Sequence, residues 1–321
     1  MALQRRVGRR LVDMRMIQPL AHLALFAAVY VAAAVVCAAQ LTGTQGALTP
    51  VVLLYAWSTA LLAYLLDRVK LRDAWLDPAD RQAHPDRFAF LFTHRRAARL
   101  LMAGAGVVSL VSGWMIHPTH PIAAAGTFAT IAGVLLYAGR PRTAGGGARV
   151  KDRFVVKNLF VGAGIAGFAV LIVCIAAARR DGVGTGGYDA ASISDVFSRL
   201  PRPPLLLALA FAYLTLRIYA DAVLCDIDDE DSDRAHGTRT LPARFGGARA
   251  WDIAMWLRLA LAASLLLWPV GPFAGRAAWA IASAAGTIAL RWWRPAKIRD
   301  LVDARFGVEA ACVWAVLTLP A

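Results

Sequence analysis

The residues best suited to chemistry in this sequence are carboxylates, and twelve of the 21 acidic residues fall in two short windows. In the window from 221 to 233, Asp226, Asp229 and Asp233 are spaced i, i+3 and i+7, so a helix would place them on one face. Like charges at this spacing repel, which destabilises the helix unless a cation is present. Hard oxygen ligands suit Mg2+, which binds through a few carboxylates plus substrate phosphates. The pattern therefore favours a magnesium site over a solvated acidic loop.

The other window, from 67 to 86, has a less regular pattern. Asp67 ends an apolar run, and Asp73 and Asp77 follow it. Pro78 disfavours a helical conformation at Asp77. Two registers therefore stay open, with either Asp67 or the pair of Asp73 and Asp77 as the main ligands. The first acid cluster is defined here as Asp67, Asp73 and Asp77, and the second as Asp226, Asp229 and Asp233.

The composition indicates that a lipid bilayer surrounds much of the chain. Of its 321 residues, 59% are apolar and 17% are charged, whereas soluble domains carry about 25% charged residues. The net charge of +14 would suit nucleic acid binding. Membrane proteins, however, concentrate Lys and Arg in their cytoplasmic loops. This second interpretation fits the apolar composition, so we expect no nucleic acid partner.

Nine apolar segments come close to the roughly 20 residues that a helix needs to cross the hydrocarbon core. They predict an all-α polytopic membrane bundle that forms a single domain over residues 1–321. The last segment is short and carries Glu309, which we expect to be paired inside the bundle. The predicted spans are 18–40, 46–66, 97–116, 119–138, 155–178, 203–225, 250–270, 273–291 and 306–320.

The distribution of basic residues predicts the orientation of the bundle. The N-terminus and the even-numbered loops, with their flanks, hold 28 Lys and Arg, and the odd-numbered loops hold five. Because basic residues mark the cytoplasmic side, the N-terminus and the even-numbered loops are predicted to be cytoplasmic. The acid clusters belong to two of these loops, 67–96 and 226–249, and so should share one face. The expected location is the plasma (inner) membrane of a bacterium.

The stretch from Cys225 to Gly246 closely resembles the second aspartate-rich motif of UbiA superfamily prenyltransferases, D-x-x-D-x-x-x-D-R-x-x-G-x-x-T-L-P followed by Gly. The layout is also similar, with about nine helices and acid motifs after the second and sixth. The first acid cluster departs from the family pattern N-D-x-x-D-x-x-x-D, because the Asn is absent. The matching residues of the second motif are Asp226, Asp229, Asp233, Arg234, Gly237, Thr240, Leu241, Pro242 and Gly246.

The resemblance implies an enzyme that transfers a prenyl group from a prenyl diphosphate to a lipophilic acceptor, with an aromatic compound as one candidate. Mg2+ held by both acid clusters would neutralise the diphosphate leaving group, and basic side chains would add fixed positive charge. The implied diphosphate-binding residues are Arg68, Lys70, Arg72, Lys157 and Arg234. The implied substrate-pocket residues are Tyr64, Tyr137, Asn158 and Asp221.

Alternatives remain for both the function and individual residues. The departure in the first acid cluster also fits a UbiA-like protein that has lost activity and binds an isoprenoid or a partner protein. Arg217 and Asp221 are spaced i, i+4, which favours an intrahelical ion pair over a substrate contact. His84, in the first acidic loop, is expected to support the site rather than bind metal. Which residue, if any, is catalytic stays open at the level of the sequence.

Overall fold

A computed structural model describes residues 18–70, 78–117, 122–138, 153–180, 203–293 and 298–318. Within these ranges the chain forms α-helices and two short 3-10 helices and contains no β-strand. The helices are α1 (Gln18–His22), α2 (Leu25–Thr42), α3 (Pro50–Val69), α4 (Pro78–Ala83), α5 (Pro85–Thr93), α6 (Arg95–Ile116), α7 (Ile122–Ala138), α8 (Val156–Arg180), α9 (Pro204–Ile227), α10 (Glu230–Ala235), α11 (Leu241–Phe245), α12 (Gly247–Ser264), α13 (Phe273–Trp293) and α14 (Arg299–Thr318).

Seven of the described helices are long and apolar enough to cross a membrane, namely α2, α3, α6, α8, α9, α12 and α13. The predicted all-α membrane bundle is therefore confirmed. The predicted fourth and ninth spans correspond to α7 and α14, which do not meet that criterion. α7 has 17 residues, or roughly 26 Å at 1.5 Å per residue, and α14 is charged along its first turns. The expectation of about nine spans stays a prediction.

Local sequence signals set where the helices that carry the acid clusters begin and end. α3 begins at Pro50, directly after Thr49, whose hydroxyl accepts a hydrogen bond from the Val52 amide at 3.3 Å. Thr at the N-cap and Pro at the first helical position are both favoured. α3 then ends just after Asp67, and α9 ends just after Asp226. Each acid cluster thus starts in the last turn of an apolar helix.

Small residues allow the helices beside the site to pack closely. A Cβ atom added at Gly162 on α8 would lie 2.7 Å from the backbone carbonyl oxygen of Thr215 on α9. Backbone atoms cannot rotate away as a side chain can. Small residues at such contacts are typical of membrane helices, because they let the two backbones approach. The α8–α9 contact therefore depends on the missing side chain at Gly162.

We expect Gly162→Ala to destabilise the protein by about 1–3 kcal/mol, the usual cost of overpacking a well-packed interior. Thermal unfolding in detergent, followed by tryptophan fluorescence, would measure the change. Gly164→Ala is the matched control on the same helix, because a Cβ atom there has no neighbour within 4 Å. Equal melting temperatures for the two variants would contradict the close contact.

Five charged side chains form a buried group between α9, α12 and α14, here called the interior charge cluster. Arg217 Nη2 lies 2.6 Å from Glu309 Oε2, and Arg217 Nε lies 3.5 Å from Asp221 Oδ2. Arg258 Nη1 lies 2.9 Å from Asp221 Oδ1. Arg305 lies farther away, 3.6 Å from Asp221 and 3.8 Å from Glu309. The predicted pair of Arg217 with Asp221 and the predicted pairing of Glu309 are both present.

The interior charge cluster carries a surplus of one positive charge, since three arginines face two carboxylates. Neutral side chains also contact the cluster, while several buried nitrogens of Arg217, Arg258 and Arg305 make no hydrogen bond among the described residues. The hydroxyl of Tyr30 donates to Asp221 at 2.9 Å, and the indole N–H of Trp279 donates to Glu309 at 3.2 Å. Charged residues inside a membrane bundle are costly unless they are paired in this way. The cluster therefore constrains how the helices that surround the site can pack.

Candidate functional site

A cavity of about 270 Å3 lies between the helices that carry the two acid clusters. Its walls come from α2 to α10 and from α14. Carboxylates that are far apart in sequence thus face one space, as a shared site requires. The cavity is lined by eleven of the residues selected from the sequence, namely Tyr64, Asp67, Arg68, Lys70, Tyr137, Lys157, Asn158, Asp221, Asp226, Asp229 and Asp233.

Asp226 is held by two residues at the start of α8. Its Oδ1 accepts a hydrogen bond from the Lys157 ammonium at 2.8 Å, and its Oδ2 accepts one from the Asn158 amide at 2.8 Å. The carboxylate is 3% exposed, so these bonds replace most of its hydration. Hydrogen bonds to an ionised group are among the stronger ones in proteins. α8 therefore fixes the orientation of the first carboxylate of the second acid cluster.

Asp229 contacts two residues that were not predicted from the sequence to be binding residues. Its Oδ1 lies 2.8 Å from His84 Nε2, and its Oδ2 accepts a hydrogen bond from the Arg299 guanidinium at 2.6 Å. Burial raises the pKa of Asp229, but Arg299 and His84 outweigh burial and hold that pKa below its usual range. Asp229 thus lies between a guanidinium and an imidazole, and the role of His84 at the site stays a prediction.

Arg299 reaches Asp229 because a neighbouring acid anchors the start of α14. The Asp228 carboxylate accepts backbone hydrogen bonds from Ile298 at 3.0 Å and Arg299 at 3.1 Å. A carboxylate at a helix N-terminus satisfies free N–H groups and complements the helix dipole. Arg299 and Asp303 both line the cavity. Arg299 and Asp303 are spaced i, i+4 and follow a basic loop, and this pattern is the sequence signal that could have identified them as site residues.

Asp233 has the carboxylate oxygen best suited to an added cation. Its Oδ2 is buried without a hydrogen-bond partner among the described residues and lies 3.8 Å from Lys157 Nζ. Burial raises the pKa of Asp233 to about 6, Lys157 opposes that rise, and Asp226 and Asp229 add to it. A divalent cation would satisfy this oxygen and offset the repulsion. Among the described residues, however, no three His, Cys, Asp or Glu side chains are arranged to hold a metal ion, so Mg2+ binding by the second acid cluster stays a prediction.

The first acid cluster is represented among the described residues by Asp67. The Lys70 ammonium forms an ion pair with Asp67 Oδ1, and the Lys70 side chain is 5% exposed. Asp73, Asp77 and Arg72 lie outside the described residues. Their predicted roles, and the register of this cluster, stay predictions.

The remaining selected residues differ in how they relate to the cavity. Arg68 lines it and donates to the backbone carbonyl of His22 at 3.1 Å. Tyr137 also lines it and stacks on Phe160, with ring centroids 5.8 Å apart. Arg234 instead has a 54% exposed side chain, paired with Glu230 at 2.6 Å. The cavity thus gathers most of the selected residues but not Arg234.

The match to a known family includes the second acid cluster and most of the cavity residues. The family model of the UbiA prenyltransferase family matches residues 79–312. This chain belongs to the UbiA prenyltransferase family. The matched region begins after the first acid cluster. It is the first acid cluster that departs from the family pattern. Among curated proteins, none matches this chain.

Two solved structures resemble this chain. A UbiA homolog from Aeropyrum pernix K1, in its apo form, is 18% identical, with a TM-score of 0.60 over 91% of this chain and 98% of that chain. A UbiA homolog from Archaeoglobus fulgidus, bound to DMAPP and Mg2+, is 16% identical, with a TM-score of 0.44 over 95% of this chain and 99% of that chain. The first similarity establishes the fold shared with this UbiA family member.

Proposed function

We propose that this UbiA family member is a Mg2+-dependent intramembrane prenyltransferase. Its donor is a prenyl diphosphate and its acceptor a lipophilic molecule, with an aromatic compound as one candidate. The observation that carries this proposal is the cavity where Asp67 and the second acid cluster meet among basic side chains. A site of this charge pattern suits a diphosphate bridged to carboxylates by a divalent cation.

The residues of the cavity would have different roles in binding the donor. Asp226, Asp229 and Asp233 would hold Mg2+, which would neutralise the charge of the diphosphate leaving group. Lys157 and Arg299 keep two of these carboxylates oriented. Both also bring positive charge to the cavity wall. This arrangement would favour departure of the diphosphate.

Aromatic side chains of the cavity suit the prenyl group of the donor. Tyr64 and Tyr137 line the cavity together with apolar residues such as Ile165 and Ile218. An aromatic face attracts a cation that forms beside it, here the allylic group. Apolar walls also exclude water, which would otherwise capture that group. Prenyl transfer to a lipid-soluble acceptor is favoured over hydrolysis under these conditions.

The proposal includes an orientation and a location. The acid clusters and the N-terminus would face the cytoplasm of a bacterium, with the bundle in the plasma membrane, as the distribution of basic residues predicts. One domain over residues 1–321 would carry the whole site. Accessibility of single cysteines to an impermeant thiol reagent would test this orientation.

The deciding experiment measures diphosphate release by the purified protein in lipid nanodiscs. Geranyl, farnesyl and geranylgeranyl diphosphate are supplied with Mg2+ or with EDTA, and a total lipid extract supplies acceptors. We expect release from at least one donor with Mg2+ and none with EDTA. We expect Asp229→Ala to lose release, because this carboxylate is central to the second acid cluster. No release above the Asp229→Ala background with any donor would remove the enzyme proposal.

A second candidate function is a UbiA-like protein that binds an isoprenoid without turnover. It is favoured by one observation, namely that Asp67, Asp226 and Asp229 are each already paired with a basic side chain. This candidate predicts that farnesyl diphosphate binds to the nanodisc protein, measured by microscale thermophoresis, with no diphosphate released over hours.

A further inference from the structure

We propose that the interior charge cluster binds one small monovalent anion, chloride, between the side chains of Arg258 and Arg305. The site lies beside the cavity but is separate from the acid clusters, and the proposal does not depend on prenyl transfer. The interior charge cluster would then have a ligand of its own in addition to its role in helix packing.

Guanidinium groups without hydrogen bonds are the first observation behind this proposal. A guanidinium has five N–H donors and no acceptor. Arg258 is fully buried, yet none of its three side-chain nitrogens makes a hydrogen bond among the described residues. The same is true of the three side-chain nitrogens of Arg305. Buried polar groups are nearly always hydrogen-bonded, and an exception indicates a bound water or ion. Both arginines therefore require a further partner.

The contacts of the two arginines with Asp221 are the second observation. Arg258 Nη1 and Arg305 Nη2 approach the same oxygen, Asp221 Oδ1, at 2.9 and 3.6 Å. Within the described part of the chain this oxygen accepts no hydrogen bond, so the N–H groups of both arginines are not directed at it. Two positive charges that share one acid also repel each other. An anion contacted by both guanidinium groups would accept their hydrogen bonds and reduce this repulsion.

The charge of the interior charge cluster identifies the kind of ligand. Three arginines face two carboxylates, which leaves a surplus of one positive charge in a buried region. An uncompensated buried charge is costly, and more so inside a membrane bundle. A water molecule would accept hydrogen bonds but leave the surplus charge in place. A monovalent anion both accepts the hydrogen bonds and makes the cluster neutral.

The surroundings of Arg305 favour a small ion. Its distances of 3.6 and 3.8 Å to the two acids are longer than hydrogen bonds. Gly286 on α13 has no side chain to fill the space beside it, since a Cβ atom added there would lie 3.4 Å from Arg305 Nη1. Tyr30 and Asp221, which are hydrogen-bonded to each other, also line the cavity. The cavity therefore adjoins the cluster and offers a route of entry.

The test counts the bound ion and measures its effect on unfolding. Purified protein in nanodiscs of neutral lipid is exchanged into sodium gluconate, whose anion is too large for the site, and is then titrated with radiolabelled chloride. We expect one chloride per chain. At a chloride concentration about 100 times the dissociation constant, we expect melting about 3–5 °C above that in gluconate of equal ionic strength. No bound chloride, or equal melting temperatures in the two salts, would overturn the proposal.

Arg305→Gln separates this site from general effects of salt. The substitution removes the surplus positive charge, so we expect no bound chloride and the same melting temperature in both salts. Arg305→Lys keeps the charge and should still bind one chloride. Arg291→Gln is the matched control, because Arg291 pairs with Asp252 at 2.8 Å outside the cluster, and it should bind chloride like the wild type. Chloride binding that persists in Arg305→Gln would overturn the proposal. If Arg305→Gln does not fold, the chloride count of the wild type still decides.

Discussion

Glu309→Gln is expected to destabilise the protein by about 3–5 kcal/mol, the usual effect of removing one partner from a buried ion pair. The substitution keeps the shape of the side chain and removes one of the two carboxylates of the interior charge cluster. Three arginines would then face Asp221 alone, which doubles the surplus positive charge. Arg217, 2.6 Å from Glu309, would lose its closest acid. Unfolding in mixed micelles with increasing SDS would measure the loss.

A second substitution tests whether charge balance, rather than loss of a single contact, causes this effect. Adding Arg305→Gln to Glu309→Gln returns the surplus to one positive charge. Arg305 lies 3.6 Å or more from both acids, and its side-chain nitrogens make no hydrogen bond within the described residues. We therefore expect the double variant to regain at least half of the lost stability. Additive destabilisation by the two substitutions would contradict the charge-balance account.

Asp226→Asn is expected to lower diphosphate release about 100-fold or more, comparable to the loss of one preorganised electrostatic contact in other enzymes. The amide would keep the size of the side chain but remove the charge that pairs with Lys157 and would hold Mg2+. An assay coupled to inorganic pyrophosphatase would measure the rate. Unfolding in detergent should show a smaller change than for Glu309→Gln, because Lys157 retains a second acid, Asp233, 3.8 Å away.

The matched control for Asp226→Asn is Asp231→Asn in the same acidic segment. The Asp231 side chain is fully exposed, and its contact with Arg234 is 3.6 Å long. Exposed pairs of this kind contribute little, so we expect a rate within twofold of wild type. Equal losses in both variants would mean that only the overall negative charge of the segment matters. Such a result would contradict a specific role for Asp226.

The second acid cluster could be predicted from sequence because its information is local. The spacing of Asp226, Asp229 and Asp233 can be recognised within a few residues, and the apolar run before them indicates the end of a span. The single helix predicted through them is interrupted, however, because α9 ends at Ile227 and α10 begins at Glu230. The i, i+4 pair of Arg217 and Asp221 was predictable for the same reason. Both depend on residues within about two turns of each other.

The partners of these acids could not be predicted, because they come from distant parts of the chain. Arg299 lies 70 residues beyond Asp229, and the contact exists only because Asp228 anchors the start of α14. The last span was predicted at 306–320, because a prediction from apolar content leaves out helical turns that carry charged residues. In the structure, the charges near the start of α14 face the cavity and the interior charge cluster. The charged first turns of α14 have polar partners inside the bundle rather than water. This explains why α14 begins before the predicted span.

α14 contributes side chains to two charged regions of the protein, the cavity and the interior charge cluster, which also share Asp221 on α9. Arg299 contacts Asp229 at one end, while Arg305 and Glu309 lie two to three turns farther along, roughly 15 Å at 1.5 Å per residue. A ligand that draws Asp229 away from Arg299 would remove a contact that holds the start of α14. Because α14 is one helix, its contacts in the interior charge cluster would also be affected. Coupling between two sites is reciprocal, so occupancy of the cavity and resistance to unfolding should change together.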